Sequence, residues 1–250
     1  MSAEKVEILN ELVNTSLVDV LTEKIRHNIY TGKYHAGKRL VVRELSNEFG
    51  VSHTPIKEAL NRLISEGYVE KPPRRSMVVR KYSNSELIDA LETRLMIEIF
   101  SADRIIRAAA ENPEIVKEMD SIMASMRNQM DDKENLSYED WVSNETRFHG
   151  CYMRYCGNDK LFSIYKELDT NKTTYLAYMG TTNLPLKLST LDSNLMEHQA
   201  ITEAIRTLST EKLINAVIRH IDRACNDYAT DEECLRKCRR IREIKEKYET

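Results

Sequence analysis

The chain of 250 residues is long enough for one or two domains, and its 41% hydrophobic residues can bury at least one sizeable core. The charged fraction of 31% includes both signs, which argues against disorder, and only 7 glycines and 5 prolines argue against a collagen-like chain or a β-sandwich. No apolar run approaches the roughly 18 residues that span a bilayer, and the N-terminus lacks the apolar segment of a secretory signal. Five cysteines, an odd count without a Cys-x-x-Cys pair, fit a reducing compartment. We therefore expect a cytoplasmic, mainly helical protein.

The formal net charge of −3 is distributed unevenly along the chain. Residues 1–81 contain 14 Lys or Arg and 10 Asp or Glu, a net charge of +4, whereas residues 82–250 contain 23 and 30, a net charge of −7. A basic N-terminal part followed by an acidic remainder is typical of a DNA-binding module joined to a second domain. We therefore predict a DNA-binding domain over residues 16–81, preceded by an extension of residues 1–15.

Three helices and a hairpin are predicted within residues 16–81. Apolar residues at helical spacing, with glycine as the stop signal, predict the helices, and two short apolar runs around a basic turn predict the strands. The helices begin near Leu17, Val42 and His53, and the strands cover 68–70 and 77–80. This order of elements predicts a winged helix-turn-helix, in which the third helix enters the major groove of DNA.

The candidate DNA contacts are polar or basic side chains at the start of the third helix and at the tip of the hairpin. Hydroxyl groups and lysine can bind phosphates or base edges, and arginines in a wing suit phosphate contact or minor-groove insertion. These residues are Ser52, His53, Thr54, Lys57, Arg74 and Arg75. The alternative is that they are ordinary caps and exposed charges of a small helical domain, but the order of the surrounding elements favours DNA binding.

The stretch from Ile25 to Val79 resembles the GntR family of bacterial transcription regulators. The matching segments are AGKRL at 36–40, RELSNEFGVSHTPIKEALNRLISEGYV at 43–69 and the PRR turn of the wing. The resemblance implies that Arg43 also contacts DNA and that a homodimer binds a palindromic operator. His53 and Lys57 stand where the family usually has Arg, and Ser76 stands where its wing usually has Gly.

Residues 82–250 are predicted to be entirely helical. A long helix from about Ser83 to Glu111 is followed by further helices over about 114–131, 138–156, 159–179, 192–207, 210–230 and 231–248. We therefore predict a mainly α protein with an antiparallel helical bundle over 82–230 as its effector domain. The last segment, 231–250, is predicted to be a charged amphipathic helix that is either solvated or packed in a dimer.

Four potential metal ligands lie on three of these predicted helices. Glu145 precedes His149 by one turn, so the two share a face, and His198 and His220 lie on two further helices. One carboxylate and three imidazoles suit a divalent ion such as Zn, Ni, Mn or Fe(II), with one or two positions left for water or an anionic ligand. The alternative is that each histidine is an ordinary core or surface residue.

The surroundings of these ligands resemble the FCD ligand-binding domain of FadR-subfamily regulators. The matching motifs begin at Glu92, Glu145, Cys156, Glu197 and Ala216. The ligand separations of 4, 49 and 22 residues suit the metal-binding branch of that family, with Glu145 where Asp is usual. The resemblance implies that Arg94 faces an effector cavity and holds a carboxylate, whereas the residues alone also allow a salt bridge to Glu98. Thr173, Thr174, Tyr175 and Tyr178 lie on a helix that could line the same cavity.

These observations predict a transcription regulator whose affinity for operator DNA is controlled by a small organic acid at a divalent-metal site. The resemblance to the family implies that it is a repressor. The first alternative is a metal-dependent enzyme that uses Glu145 and the three histidines, although no obvious general base lies next to the site and the winged helix stays unexplained. The second is a DNA-binding protein whose second domain only dimerises.

Overall fold

A computed structural model describes residues 16–132, 136–182 and 188–248, with the side chains at 178–182, 188 and 189 outside that description. The predicted extension of residues 1–15 and the predicted loop at 183–185 therefore lie outside the described residues. The chain divides into two compact units, the first ending at Lys81 and the second beginning at Tyr82.

The first unit combines three helices with a small antiparallel sheet. Its elements are α1 (Leu17–Tyr30), β1 (Arg39–Leu40), α2 (Val42–Phe49), α3 (His53–Ser65), β2 (Val69–Glu70) and β3 (Met77–Val79). The strands lie in the order β1-β3-β2, with Leu40 opposite Met77 and Val69 opposite Val79. The predicted hairpin has two strands, whereas the sheet has three, because β1 lies before α2 and its pairing with β3 is a long-range contact that local sequence does not reveal.

The core of the first unit lies between α1 and α3. Leu21 and Ile25 of α1 and Ile56 and Leu60 of α3 are fully buried, as the helical spacing of these residues predicts. Gly50, which ends α2, has a φ of 67°, a left-handed conformation that glycine adopts at little cost. The tight turn brings the start of α3 close behind α2, the arrangement that the helix-turn-helix motif requires.

Among the described residues of the second unit, all regular secondary structure is helical, so the predicted mainly α fold is confirmed. Its helices are α4 (Asn84–Glu111), α5 (Glu114–Asp131), α6 (Tyr138–Met153), α7 (Asp159–Leu168), α8 (Thr170–Thr182), α9 (Leu188–Arg206), α10 (Thr210–Tyr228) and α11 (Glu232–Tyr248). A capping box between Ser83 and Glu86 begins α4. Helix α10 packs against α4, α9 and α11, and α5 packs against α6 and α9.

Two features of the second unit differ from the sequence prediction. The segment 159–179, predicted to be one helix, is divided into α7 and α8 by Asp169, which adopts a φ of 38°. Aspartate tolerates this left-handed conformation, but its presence alone gives no stop signal comparable to glycine or proline. The charged helix α11 is not a separate segment, because Cys234, Cys238 and Ile241 are buried and the helix packs against α4 and α10.

All five cysteines are buried and unpaired as thiols. Among the helices of the described residues, none combines the length and the apolar composition that crossing a membrane requires.

Candidate DNA-binding and metal sites

The predicted DNA contacts of the helix-turn-helix lie together at the start of α3. Ser52 is the residue before the first turn of α3, and His53, Thr54 and Lys57 lie within its first two turns. All four are exposed, as is Arg43 in the first turn of α2. The start of α3 therefore presents two hydroxyls, an imidazole and an ammonium group to solvent, a set of groups suited to phosphates and base edges.

The two predicted wing arginines are exposed in the turn between β2 and β3. Arg74 has a φ of 60°, a left-handed conformation that glycine favours, and the Arg75 amide donates a hydrogen bond to the Pro72 carbonyl at 3.1 Å. The turn thus places its positive φ at Arg74 rather than at Ser76, where the resemblance suggested a glycine. Both guanidinium groups lie at the tip of the wing.

The four predicted metal ligands come together inside the second unit. His149 of α6, His198 of α9 and His220 of α10 are buried, and one ring nitrogen from each lies within 4.8 Å of the others. The Nε2 atoms of His149 and His198 are 3.1 Å apart. An oxygen of Glu145, Oε2, lies 3.4 Å from Nε2 of His198 and 3.7 Å from Nε2 of His149. Three helices therefore supply one cluster of nitrogen and oxygen donors.

The outer nitrogens of two imidazoles are held by acceptors. Nδ1 of His220 lies 2.7 Å from Oε2 of Glu197, and Nδ1 of His149 lies 2.9 Å from the hydroxyl oxygen of Tyr152. The Tyr152 hydroxyl donates its own proton to Oε2 of Glu98 at 2.7 Å. Because each acceptor requires a proton on Nδ1, the lone pair of each neutral ring is on Nε2. Such outer partners are typical of histidines that bind metals.

The third imidazole is held differently. The ring of His198 stacks on Phe148 with centroids 4.2 Å apart, and its Nδ1 is buried without a hydrogen-bond partner among the described residues. Stacking fixes the plane of this ring, whereas the other two rings are fixed by hydrogen bonds.

The electrostatic surroundings favour the neutral forms of His149 and His220 beside a charged Glu145. Burial, reinforced by the charge of Arg94, holds the pKa of His149 well below its usual value, and burial also lowers the pKa of His220 in spite of its bond to Glu197. Burial opposes the charge of Glu145, but the imidazoles of His198 and His149 outweigh it and hold the pKa of this carboxyl well below its usual value. Neutral imidazole and ionised carboxylate are the forms that ligate metals.

Arg94 is buried, and it takes part in both interactions that the sequence allowed. Its Nε donates to Oε1 of Glu98 at 2.6 Å, and one terminal nitrogen donates to Thr170 at 3.1 Å and to Asn171 at 3.2 Å. The other terminal nitrogen is buried with no partner among the described residues. The same arginine also lines a cavity. A salt bridge therefore orients Arg94 and still leaves one donor of its guanidinium unused.

The cavity has a volume of about 60 Å³, room for a few water molecules. Its wall carries two guanidinium groups, two carboxylates, two side-chain amides and aromatic rings. The polar lining includes Arg94, Glu145, Asn194, His220, Arg223 and Asp227. Of the four residues on the helix predicted to line it, Thr174 and Tyr175 do so. Thr173 is buried, and the side chain of Tyr178 lies outside the description.

The sequence did not single out Glu197, Arg223 and Asn194 as functional residues. Arg223 donates through Nε to Oε1 of Glu197 at 2.5 Å, through Nη1 to Asp227 at 2.7 Å and through Nη2 to Asn194. Asn194 in turn donates to Oε1 of Glu145 at 3.2 Å. Glu197 precedes His198 directly and Arg223 follows His220 by three residues, so both lie beside predicted ligands, but sequence spacing cannot show that they meet.

The donor set fits a divalent ion. Nitrogens that each lie about 2.0–2.1 Å from one ion are separated by roughly 3–3.4 Å, so the 3.1 Å between His149 and His198 already has the required value. Imidazole nitrogens and a carboxylate suit Zn, Ni or Mn. A metal would be held by His149, His198, His220 and Glu145, and it would supply a positive charge and open coordination positions for an anionic group.

The two units match two family models. Residues 17–79 match the bacterial regulatory proteins of the gntR family, and residues 89–223 match the FCD domain. The gluconate operon transcriptional repressor of Bacillus licheniformis is 24% identical over 201 residues, which are 80% of this chain and 79% of the repressor. The transcriptional repressor GlaR of Escherichia coli K12 is 20% identical over 197 residues, which are 79% of this chain and 89% of GlaR. Among solved structures, E. coli McbR/YncC shares the fold with a TM-score of 0.64 at 16% identity, covering 86% of this chain and 97% of that chain.

Proposed function

Because the chain belongs to the gntR family of bacterial regulatory proteins and carries an FCD domain, it is a DNA-binding transcription regulator, and we propose that it is a repressor controlled by a small organic acid. The cavity beside the histidine cluster carries this proposal, because a buried arginine with an unused donor lies next to a set of metal ligands. The enzyme alternative is not supported, since the relatives are regulators. Repression as the sign of regulation follows the named relatives.

The DNA-binding unit acts on the operator as part of a homodimer. A protein with two-fold symmetry matches a palindrome, so each first unit would read one half-site. The start of α3, with His53, Thr54 and Lys57, would meet base edges, and the wing with Arg74 and Arg75 would contact phosphates. The exposure of all five side chains supports this assignment.

The second unit binds a divalent metal, as in the metal-binding branch of the FadR subfamily. The support is the convergence of the four donors and the two outer acceptors, Glu197 and Tyr152, which direct the lone pairs of His220 and His149 toward the cluster. A bound metal lends its charge to the cavity that Arg94 and His220 also line. A carboxylate ligand fits there, because a cationic wall and an open coordination position both attract an anion.

The unused donor of Arg94 gives the acid its orientation. A carboxylate at this nitrogen would satisfy a buried group that otherwise has no partner, and a hydrogen bond to a charged group is worth about 1.5–3 kcal/mol. The other groups of the guanidinium stay on Glu98, Thr170 and Asn171, so the arginine needs no reorientation to bind. The acid then controls the operator through its different affinity for the DNA-bound and DNA-free states.

The test combines operator binding with a panel of sugar acids, hydroxy acids and dicarboxylates. Fluorescence anisotropy on a labelled operator should identify an acid that weakens binding of the wild-type protein, and the operator should weaken binding of the acid by the same factor. Arg94→Lys keeps a cation beside Glu98 but lacks the free terminal nitrogen, and we expect it to lose at least tenfold in affinity for the acid. Arg127→Lys, at an exposed position of α5 outside the cavity wall, is the matched control. A protein that binds operator but responds to no acid, or an Arg94→Lys variant with full acid affinity, contradicts the proposal.

A further inference from the structure

Helix α4 carries an exposed stripe with the spacing of a helix–helix seam. Eight of its exposed side chains alternate at intervals of three and four residues. These positions are Glu86, Asp89, Thr93, Met96, Phe100, Asp103, Arg107 and Ala110. At 100° per residue they all lie within about 120° of the helix circumference. An alternating three-and-four spacing is the pattern of helices that pack side by side in a left-handed pair.

The centre of this stripe is apolar. Met96 and Phe100 each keep 63% of their surface exposed, which is unusual for two large apolar residues one turn apart. The guanidinium of Arg104 lies over the Phe100 ring at 5.1 Å, so one face of the ring already has a cationic neighbour. The apolar pair is flanked along the helix by charged residues, the arrangement of an interface centre with a polar rim.

The charges on the stripe are complementary to themselves. Suppose that a second copy of α4 runs antiparallel to the first, and that the two-fold axis passes between the helices at the level of residue 98. Each residue then faces the partner residue whose number, added to its own, gives 196. Met96 then meets Phe100 of the partner subunit, and Arg107 meets Asp89 of the partner subunit. No pair of like charges arises at these positions, and the opposite pair of Arg107 and Asp89 occurs twice.

The length of α4 allows all these contacts when the two helices are nearly antiparallel. Position 107 lies nine residues from the axis, about 13.5 Å along the helix. At a crossing angle of about 20° the helices separate by only about 5 Å at that distance, which long side chains span. Within its own chain Arg107 pairs with Asp103 at 2.5 Å and Asp89 pairs with Lys237 at 2.6 Å. The pairs between subunits would extend these ion pairs into networks.

We propose that the exposed stripe of α4 is the two-fold interface of a homodimer, with Met96 packed against Phe100 of the partner subunit. This inference rests on the homodimer of the proposed function and adds its location and register. The occupant is a second copy of this chain because the stripe is self-complementary in both its apolar centre and its charges, as an isologous interface must be.

The location of the interface is tested by measuring the oligomeric state of the full-length, metal-loaded protein with size exclusion and light scattering. Phe100→Asp introduces two carboxylates at the centre of the seam, and we expect the dimer dissociation constant to rise at least about 100-fold. Met196→Asp is the matched control, since Met196 of α9 is 75% exposed but lies outside the stripe, and we expect it to remain a dimer. Circular dichroism and metal content should be unchanged in both variants.

Disulfide trapping tests the register of the two α4 helices with substitutions that are less disruptive than Phe100→Asp. Chains with Met96→Cys and chains with Phe100→Cys, carrying different tags, are mixed and exposed to a mild oxidant. Facing positions lie within disulfide reach, whereas two copies of position 96 are offset by about 6 Å along the axis and lie about 8 Å apart, beyond that reach. We expect cross-links mainly between the two different chains. The native cysteines are all buried, so they should contribute little.

The outcomes separate this inference from the proposed function. A Phe100→Asp monomer with a dimeric Met196→Asp control, together with cross-links between different chains, supports the interface. A dimeric Phe100→Asp variant, dissociation of both variants, or equal cross-linking in mixed and unmixed samples overturns it and leaves the operator-binding homodimer standing. A wild-type protein that is monomeric at all concentrations and on operator DNA overturns both.

Discussion

Replacing Glu197 by glutamine tests whether the outer partner of His220 sets the metal affinity. The carboxylate of Glu197 accepts from His220 Nδ1 at 2.7 Å and from Arg223 Nε at 2.5 Å, and it is ionised because these two partners outweigh burial and lower its pKa. A glutamine of the same shape has only one oxygen. One of the two hydrogen bonds therefore becomes a contact between two donors, and the proton position on His220 is no longer fixed.

The loss of metal affinity depends on how many of the hydrogen bonds around the histidines the Glu197→Gln variant keeps. Loss of an outer partner of a metal-binding histidine typically costs 10-fold to 100-fold in metal affinity, or about 1.4–2.7 kcal/mol. Glu197→Gln can keep one of the two hydrogen bonds, and His149 and His198 are untouched. We therefore expect the lower end of this range, an affinity about tenfold below that of the wild type.

Competition with a chromophoric zinc chelator measures this difference directly. Glu203→Gln is the matched control, because Glu203 is an exposed glutamate on the same helix, α9, and pairs with Arg206 at 3.1 Å away from the cluster. We expect its metal affinity to equal that of the wild type. Equal affinity in Glu197→Gln and the wild type, or an equal loss in both variants, would refute the reasoning.

Three further predictions concern the metal and the DNA-binding surface. Chelation of the metal should lower the unfolding temperature, since a ligand at 100 times its Kd adds about 2.7 kcal/mol, and identical melting curves with and without chelator would speak against the site. Lys57→Ala should weaken operator binding by about 1–3 kcal/mol and relax the choice of one base pair per half-site, whereas Arg75→Ala should weaken binding to all sequences and lower the salt slope by about 0.9 per lost phosphate contact. Anisotropy titrations at several salt concentrations distinguish these results, and a Lys57→Ala variant with intact specificity would place another element in the groove. Arg74→Gly should raise the free energy of unfolding by up to about 1 kcal/mol, because the left-handed φ of 60° strains an arginine more than a glycine, and a lower urea midpoint would contradict this account.

The helices could be predicted from the sequence where the apolar spacing is regular and the ends carry strong signals. Helix α2 ends before Gly50, and α4 begins after the capping box of Ser83, so both have their predicted limits. The break at Asp169 and the short strand β1 were not predicted. Both depend on tertiary contacts rather than on local preference, since aspartate is compatible with a helix and two residues cannot form a strand alone.

The grouping of the four candidate ligands could be predicted because one pair shares a helical turn and the others lie in motifs of a known family. The hydrogen bonds around these ligands could not be predicted from the sequence. Glu197 reaches His220 across 23 residues of sequence, and the contact depends on how α9 packs against α10. Arg94 shows the same limit, because the sequence offered a salt bridge or an effector contact as alternatives, while the guanidinium has enough donors to make both.

The hydrogen bonds between the cavity and the histidine cluster give a physical route for coupling an acid to the metal. Arg94 donates to Glu98, Glu98 accepts from Tyr152, and Tyr152 accepts from His149, so three steps join the cavity wall to a candidate ligand. Burial raises the pKa of Tyr152 well above its usual value, which keeps the phenol protonated and the direction of these bonds fixed. An acid bound at the unused nitrogen of Arg94 would share the positive charge of the guanidinium, which would then neutralise Glu98 less without moving. Glu98 would then accept more strongly from Tyr152, and the change would reach the proton on His149. Because coupling is reciprocal, a metal at the cluster would alter the affinity for the acid by the same factor.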